Sequence, residues 1–175
     1  MAADTARLFF GLELTDDARS ALSGVKEALE KQPLRAKLHA PSLYHLTLCF
    51  LGSIPRSQIP PLCALLDAIP SAPFTLTLSD MGTFKNGTIL WAGVKNHPLL
   101  FDYQARLACT LREAGFPTEQ GEYHPHITLA RQVKSEIPPI SVPPVCFDVR
   151  HATLFESTRI DGVLTYLPIY RSVFR

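Results

Sequence analysis

The sequence predicts a mixed helix-and-strand chain folded as two similar lobes that face each other across a groove. Three observations predict it. The four-residue pattern His45-Leu-Thr-Leu48 returns 81 positions later as His126-Ile-Thr-Leu129. A strand-helix-strand unit precedes each copy at nearly the same spacing, 36 residues from Phe9 to His45 and 35 from Trp91 to His126. The length, 175 residues, suits one domain or two small intimate lobes. Fusion of two such units would put the two histidine strands in equivalent positions about a pseudo-twofold axis.

The elements follow from periodicity and punctuation. Leu8–Leu14 is apolar except for Glu13 and reads as a strand. Thr15-Asp16-Asp17 caps a helix with a hydroxyl and two first-turn acids, and Ala18, Leu22, Val25 and Leu29 repeat at helical spacing until Pro33. Tyr44–Leu51 is the first histidine strand, closed by Gly52. Pro55–Ile69 reads as a second helix weakened by Pro60 and Pro61. Phe74–Leu78 alternates apolar and hydroxyl side chains, and Lys85-Asn86-Gly87 turns the chain into a returning strand, Ile89–Val94. Pro98–Ala114 is a third helix, striped by Leu100, Tyr103, Leu107 and Leu111 and stopped by Gly115. His126–Val133 is the second histidine strand. Ile137–Pro144, with four prolines, is a loop. Val145–Glu156 and Val163–Val173 are the final strands, joined by a turn at Asp161-Gly162.

Composition bounds the function. The chain is 46% hydrophobic and 19% charged, with a net charge of +1. Proteins that grip long duplexes carry strongly basic surfaces, so this balance favours a small ligand or a nucleic-acid end. Arg35 with Lys37, and Arg171 with Arg175, are local basic patches. Cys49, Cys63, Cys109 and Cys146 form no C-x-x-C pair and read as buried free thiols in a reducing, cytoplasmic setting. The start of the chain lacks a leader pattern and no apolar run is long enough for a membrane span.

Within each repeated motif, side chains alternate across the strand, so histidine and threonine share one face and the apolar pair shares the other. Two such strands side by side would bring two imidazoles and two hydroxyls around one small polar group: an acid, a base and two neutral donors. Neither motif carries a carboxylate, which suits an anion. By the same parity Phe50, with Leu46 and Leu48, belongs to the core. His39, His97 and His151 read as surface or loop residues. His124-Pro125-His126 has a spacing that a metal could use, but Pro125 reads better as fixing the start of the strand. Tyr44, Tyr123 and Trp91 are candidates for stacking a base.

The paired motifs resemble those of the two-histidine (2H) phosphoesterase superfamily. His45-Leu-Thr-Leu-Cys-Phe-Leu-Gly52, His124-Pro-His-Ile-Thr-Leu-Ala-Arg131, the tail Leu154-Phe-Glu-Ser157 with Gly162 and Tyr166, and the opening Arg7-Leu-Phe-Phe-Gly-Leu resemble, more closely, the RNA 2′,3′-cyclic phosphodiesterase family, historically called 2′-5′ RNA ligase. The resemblance runs nearly end to end. It implies an α+β fold of two pseudo-symmetric lobes, each an antiparallel sheet backed by helices, with the active groove between them, in a single bilobal domain over residues 1–175. It implies hydrolysis of a 2′,3′-cyclic phosphate to a 2′-phosphate with no metal and no cofactor. His45 is then the proton donor and His126 the proton acceptor, an order that the residues alone do not fix. Thr47 and Thr128 would bind phosphate oxygens and Arg131 would add a further contact. Arg131 lies five residues from His126, so strict alternation turns it away from the groove. It arrives only if the strand twists, bulges or ends near Ala130.

The expected partners are RNA 3′ ends or small cyclic nucleotides, with no membrane, bound by a monomer. Two other readings stay open: 2′-5′ ligation, the same chemistry run backwards with a 5′-hydroxyl replacing water, and a nucleotide-binding module that has lost catalysis. A metal-dependent hydrolase is the remaining option, one that insensitivity to chelator would exclude. The chain offers no P-loop to drive an ATP-dependent ligation.

Overall fold

The structure is a computed structural model that describes residues 4–175. Met1–Ala3, which open the stretch that lacks a leader pattern, lie outside the described residues. The chain runs β1 (Thr5–Glu13), α1 (Asp16–Glu30), β2 (Lys37–Leu38), β3 (His45–Pro55), α2 (Ile59–Asp67), β4 (Phe74–Phe84), β5 (Ile89–Val94), α3 (Pro98–Glu113), β6 (His126–Arg131), β7 (Cys146–Val149), β8 (His151–Ile160) and β9 (Val163–Val173). The strands form two antiparallel sheets, ordered β3-β1-β8-β9 and β2-β6-β5-β4-β7.

Each histidine strand is hydrogen-bonded to the first strand of its own repeat, β3 to β1 and β6 to β5. The helical stripes expected in α1 and α3 are buried. They join the inward residues of both sheets in one hydrophobic cluster. Thr15 caps α1 through Ala18 N–H. The turn at Lys85-Asn86-Gly87 holds three positive φ angles, 51°, 55° and 86°, a conformation that Asn and Gly tolerate best. Strands β3 and β6 approach each other across the lobes, while α2 packs on β9 and α3, and α3 on β3. Among the described residues no helix is long and apolar enough to cross a membrane.

Several boundaries move. Strand β3 runs on to Pro55, and a short 3₁₀ turn (Arg56–Gln58) precedes α2. Helix α2 therefore starts late enough that Pro60 and Pro61 fall in its first turn, where proline costs no hydrogen bond. The single strand expected over Val145–Glu156 is two strands in different sheets: β7 pairs with β4, and β8 with β1. Between them Arg150 carries no ladder, and its carbonyl accepts from Phe174 N–H at 2.8 Å as the chain changes sheets. Strand β2 is too short for periodicity to reveal. The thiols are free, but only Cys49 is buried; Cys109 and Cys146 are exposed.

Candidate active site

The groove between the lobes, about 610 Å³, is lined by all five residues singled out from the sequence: His45, Thr47, His126, Thr128 and Arg131. How Arg131 gets there is instructive. In the β5–β6 ladder Leu90 faces Ala130 and Trp91 faces Thr128, so Leu129 and Ala130 together occupy one core position. This β-bulge shifts the alternation by one, and Arg131 swings to the face of His126 and Thr128. Strand β3 has the same device. Phe10 faces Cys49 and Gly11 faces Thr47, so Leu48 and Cys49 share one position. Phe50 is therefore not a core residue, as its parity implied, but lines the groove. Both bulges start three residues after the histidine. The carbonyl at each is satisfied from outside the ladder, Leu48 O by Gln104 Nε2 at 3.2 Å and Leu129 O by His39 N–H at 2.8 Å. The sequence signal was present: two consecutive apolar residues, 48–49 and 129–130, interrupt strict alternation at the same place in both repeats.

Both imidazoles are oriented in the same way. His45 Nδ1 donates to Leu43 O at 2.8 Å and His126 Nδ1 donates to His124 O at 2.7 Å. A carbonyl can only accept, so Nδ1 carries the proton in the neutral rings and Nε2 is left for chemistry. His45 Nε2 accepts from the Thr47 hydroxyl at 2.9 Å. His124 contributes its carbonyl to this arrangement, while its side chain is exposed. Among the described residues no trio of His, Cys, Asp or Glu side chains converges to hold a metal.

The surroundings of the two rings differ. His45 sits in an aromatic cage, with ring centroids of Phe9, Tyr166 and Phe155 at 4.8, 5.0 and 5.9 Å. Gly11 makes that cage possible: a Cβ there would stand 3.0 Å from Leu46 O, 3.3 Å from the Phe155 ring and 3.5 Å from His45 Cδ2. Around His126, Phe84 lies edge-on at 4.8 Å and Trp91 lies at 6.4 Å. The Trp91 indole lies over Gly82, where a Cβ would collide with it at 2.2 Å.

Burial pushes the His45 pKa down to about 4; the Leu43 carbonyl opposes this, and the charges of His39, His126 and Arg131 reinforce it. Burial also lowers His126, with Arg131 and His124 adding to the shift and the His124 carbonyl and Glu119 opposing it.

Sequence reasoning missed part of the lining. His39, read as a surface residue, is 7% exposed, borders the groove and leaves its Nδ1 without a partner. Burial, then Arg131 and Lys37, push its pKa down to about 4. His97 and His151 are only partly exposed, and His151 Nε2 lies 3.3 Å from Glu13. Glu119 and Glu122 line the groove, so carboxylates are not absent from it. Of the stacking candidates, Tyr44 is buried with its hydroxyl on His39 O. Trp91 packs against Phe84. Tyr123 borders the groove and donates to Thr47 O at 2.9 Å, tying one lobe to the other.

Comparison with known proteins places this architecture. The family described as LigT like Phosphoesterase matches residues 12–91. An RNA 2′,3′-cyclic phosphodiesterase of Thermus thermophilus is 35% identical over 158 residues, covering 81% of this chain and 74% of that protein. Another, from Geobacillus stearothermophilus, is 35% identical over 136 residues, 74% of this chain; the match spans 43% of that longer protein. The crystal structure of E. coli LigT complexed with 3′-AMP superposes with a TM-score of 0.89 at 27% identity, covering 97% of this chain and 98% of that one. By sequence and by fold, the chain belongs to the LigT-like phosphoesterases of the 2H superfamily, in the RNA 2′,3′-cyclic phosphodiesterase family.

Proposed function

We propose that the chain hydrolyses 2′,3′-cyclic phosphates at RNA ends to 2′-phosphates by paired-histidine acid–base catalysis that needs no metal. One observation carries the reading: two His-x-Thr pairs, one from each sheet, border one groove with both rings held through Nδ1. Neither lobe holds both histidines, so the lobes act as one bilobal unit over residues 1–175. The nucleotide in the related E. coli LigT structure supports a nucleotide ligand here.

In this reading His126 Nε2 takes a proton from water as its oxygen attacks phosphorus. The bond from phosphorus to the ribose 3′-oxygen breaks, and His45 Nε2–H delivers a proton to that oxygen, leaving the phosphate on the 2′-oxygen. Each proton transfer is worth about 10²–10⁴ in rate. The ring with its Nδ1 anchored presents Nε2 in either role. Thr47 and Thr128 donate to the non-bridging oxygens, and the Arg131 fork meets the same charge. Protonation of His45 also frees Thr47. A protonated Nε2 no longer accepts from the Thr47 hydroxyl, which can then turn to the phosphate.

Burial disfavours an imidazolium at His45, so the substrate's negative charge must help to stabilise it. The order of roles is tested with a substrate carrying sulfur in place of the 3′-bridging oxygen, a leaving group that needs no proton. That substrate should rescue His45→Ala and not His126→Ala; the opposite pattern reverses the assignment. The overall reading is tested by incubating the protein with RNA ending in a 2′,3′-cyclic phosphate, with chelator present. A 2′-phosphate product supports it. A 3′-phosphate means that the other ester oxygen leaves, and loss of activity with chelator means that a metal acts.

A further inference from the structure

Arg7 stands on the groove face of β1, in line with Phe9 and Gly11, and faces Ser157 across β8. Its guanidinium carbon lies 4.7 Å from the Phe50 ring centroid. Such a stack fixes the plane of the group and leaves its N–H edges free for an anion. The carboxylates nearest in sequence and register do not neutralise it. Asp4 and Glu156 both pair with Arg56, and Arg56 Nε lies 3.2 Å from Asp4. Arg171, in the same sheet, is likewise occupied, with Glu13 at 2.6 Å. Among the described residues Arg7 has no ion pair. The bulge at Leu48 is what turns Phe50 to the groove and gives Arg7 its platform.

Because Leu48 and Cys49 share one position, Thr47 and Phe50 stand only two ladder positions apart, opposite Gly11 and Phe9, about 7 Å at the usual strand rise. An anion on Arg7 would therefore sit beyond the aromatic strip, about one nucleotide of extended chain from a phosphate held at Thr47. Accepting the hydrolytic reading above, we propose that Arg7, stacked on Phe50, is a second anion subsite. It takes the phosphodiester on the 5′ side of the cyclic end, so that the groove selects oligonucleotide ends over cyclic mononucleotides.

The test compares a nucleoside 2′,3′-cyclic phosphate with a dinucleotide ending in the same cyclic nucleotide, using the intact protein, Arg7→Gln and Arg7→Lys. The intact protein should prefer the dinucleotide in kcat/KM by tenfold or more. Arg7→Gln should bring that ratio close to one, and Arg7→Lys should keep part of it. In parallel, the products (a nucleoside 2′-phosphate and a dinucleotide 2′-phosphate) are titrated at several salt concentrations. Arg7→Gln should flatten the salt dependence of dinucleotide binding by roughly 0.7 in logarithmic slope, the loss of one single-strand phosphate contact. Equal use of both substrates by the intact protein overturns the subsite, as does an equal loss on both in Arg7→Gln. Turnover of neither substrate, with Arg7-dependent dinucleotide binding intact, would overturn hydrolysis and keep the subsite.

Discussion

The two lobes build the same half-site and then finish it differently. In each, a histidine strand pairs with the first strand of its repeat, a carbonyl two residues upstream holds Nδ1, and a bulge three residues downstream re-phases the chain. The position five residues after the histidine is thereby delivered to the groove in both. In one lobe it is Phe50, in the other Arg131. Opposite the threonine, one lobe has Gly11 and the other Trp91. The first half-site is aromatic and sheltered; the second carries a guanidinium and faces Glu119. The backbone thus supplies symmetry of position, and a few side chains supply the difference that the proposed acid and base roles require.

The largest effects should fall on what the lobes share. His45→Ala and His126→Ala should each lower turnover of a 2′,3′-cyclic phosphate by about 10²–10⁴ with the fold intact by circular dichroism. The double variant should lose less than the product of the two, because acid and base act together. Fully multiplicative losses would show two independent contributions.

Next comes the position that differs. Arg131→Ala should cost about tenfold to a hundredfold in kcat/KM on a cyclic mononucleotide, the scale of a charge-assisted hydrogen bond. Phe50→Ala should cost less on that substrate. Equal costs would mean that the asymmetry plays no part in holding the phosphate. Thr47→Val and Thr128→Val should each cost roughly 1–3 kcal/mol of transition-state binding. Only Thr47→Val should also displace the pH profile, because only Thr47 bonds a ring Nε2.

The pH profile of kcat/KM should be a bell lying to the acid side of pH 6.5. Both histidines are lowered from that ordinary value in the free protein, so rising pH strips the proton that the acid needs. An anionic substrate favours the imidazolium, so the profile of kcat should lie at higher pH than that of kcat/KM. Coincident profiles would remove the coupling between charge and protonation. Stability should run the opposite way and rise with pH over this range. The unfolded chain takes up protons below about pH 6.5 that His39 and His45 refuse until about pH 4, so stability is full above the first value and falls towards the second.

The smallest effect is expected at His124. His124→Ala keeps the carbonyl that anchors His126 and removes only an exposed ring, so activity should change by no more than about twofold, within the usual tolerance of surface positions. If His124→Ala abolishes turnover and His45→Ala does not, the paired assignment is wrong and a metal reading of His124-Pro125-His126 gains.

Much of this was legible in the residues. The stripes of α1 and α3, the bounds of β5 and β9 and the pairing of the two motifs rest on local periodicity, and local periodicity survives folding. Phe50 was misread because a bulge is a non-local event. It depends on which residue of β1 stands opposite, and that register is not written in β3 alone. His39 was misread for a related reason. It follows a two-residue strand whose only warrant is the exposed edge of β6 that it covers. Arg131 was legible only conditionally, as a strand that had to bulge.

The sheet that holds His45 is closed by strands distant in sequence, β8 and β9. Its second strand in space, β1, is flanked by β3 on one side and by β8 on the other, with Arg7 opposite Ser157. On a ribosome β1 therefore waits, one edge open, until the 137 residues between Glu13 and His151 have been made. Loop closure over that separation is slow compared with forming a local hairpin, and an unpaired edge is a template for the wrong partner. What places the first histidine so firmly in the finished protein also leaves its sheet incomplete long after its first strand has been made.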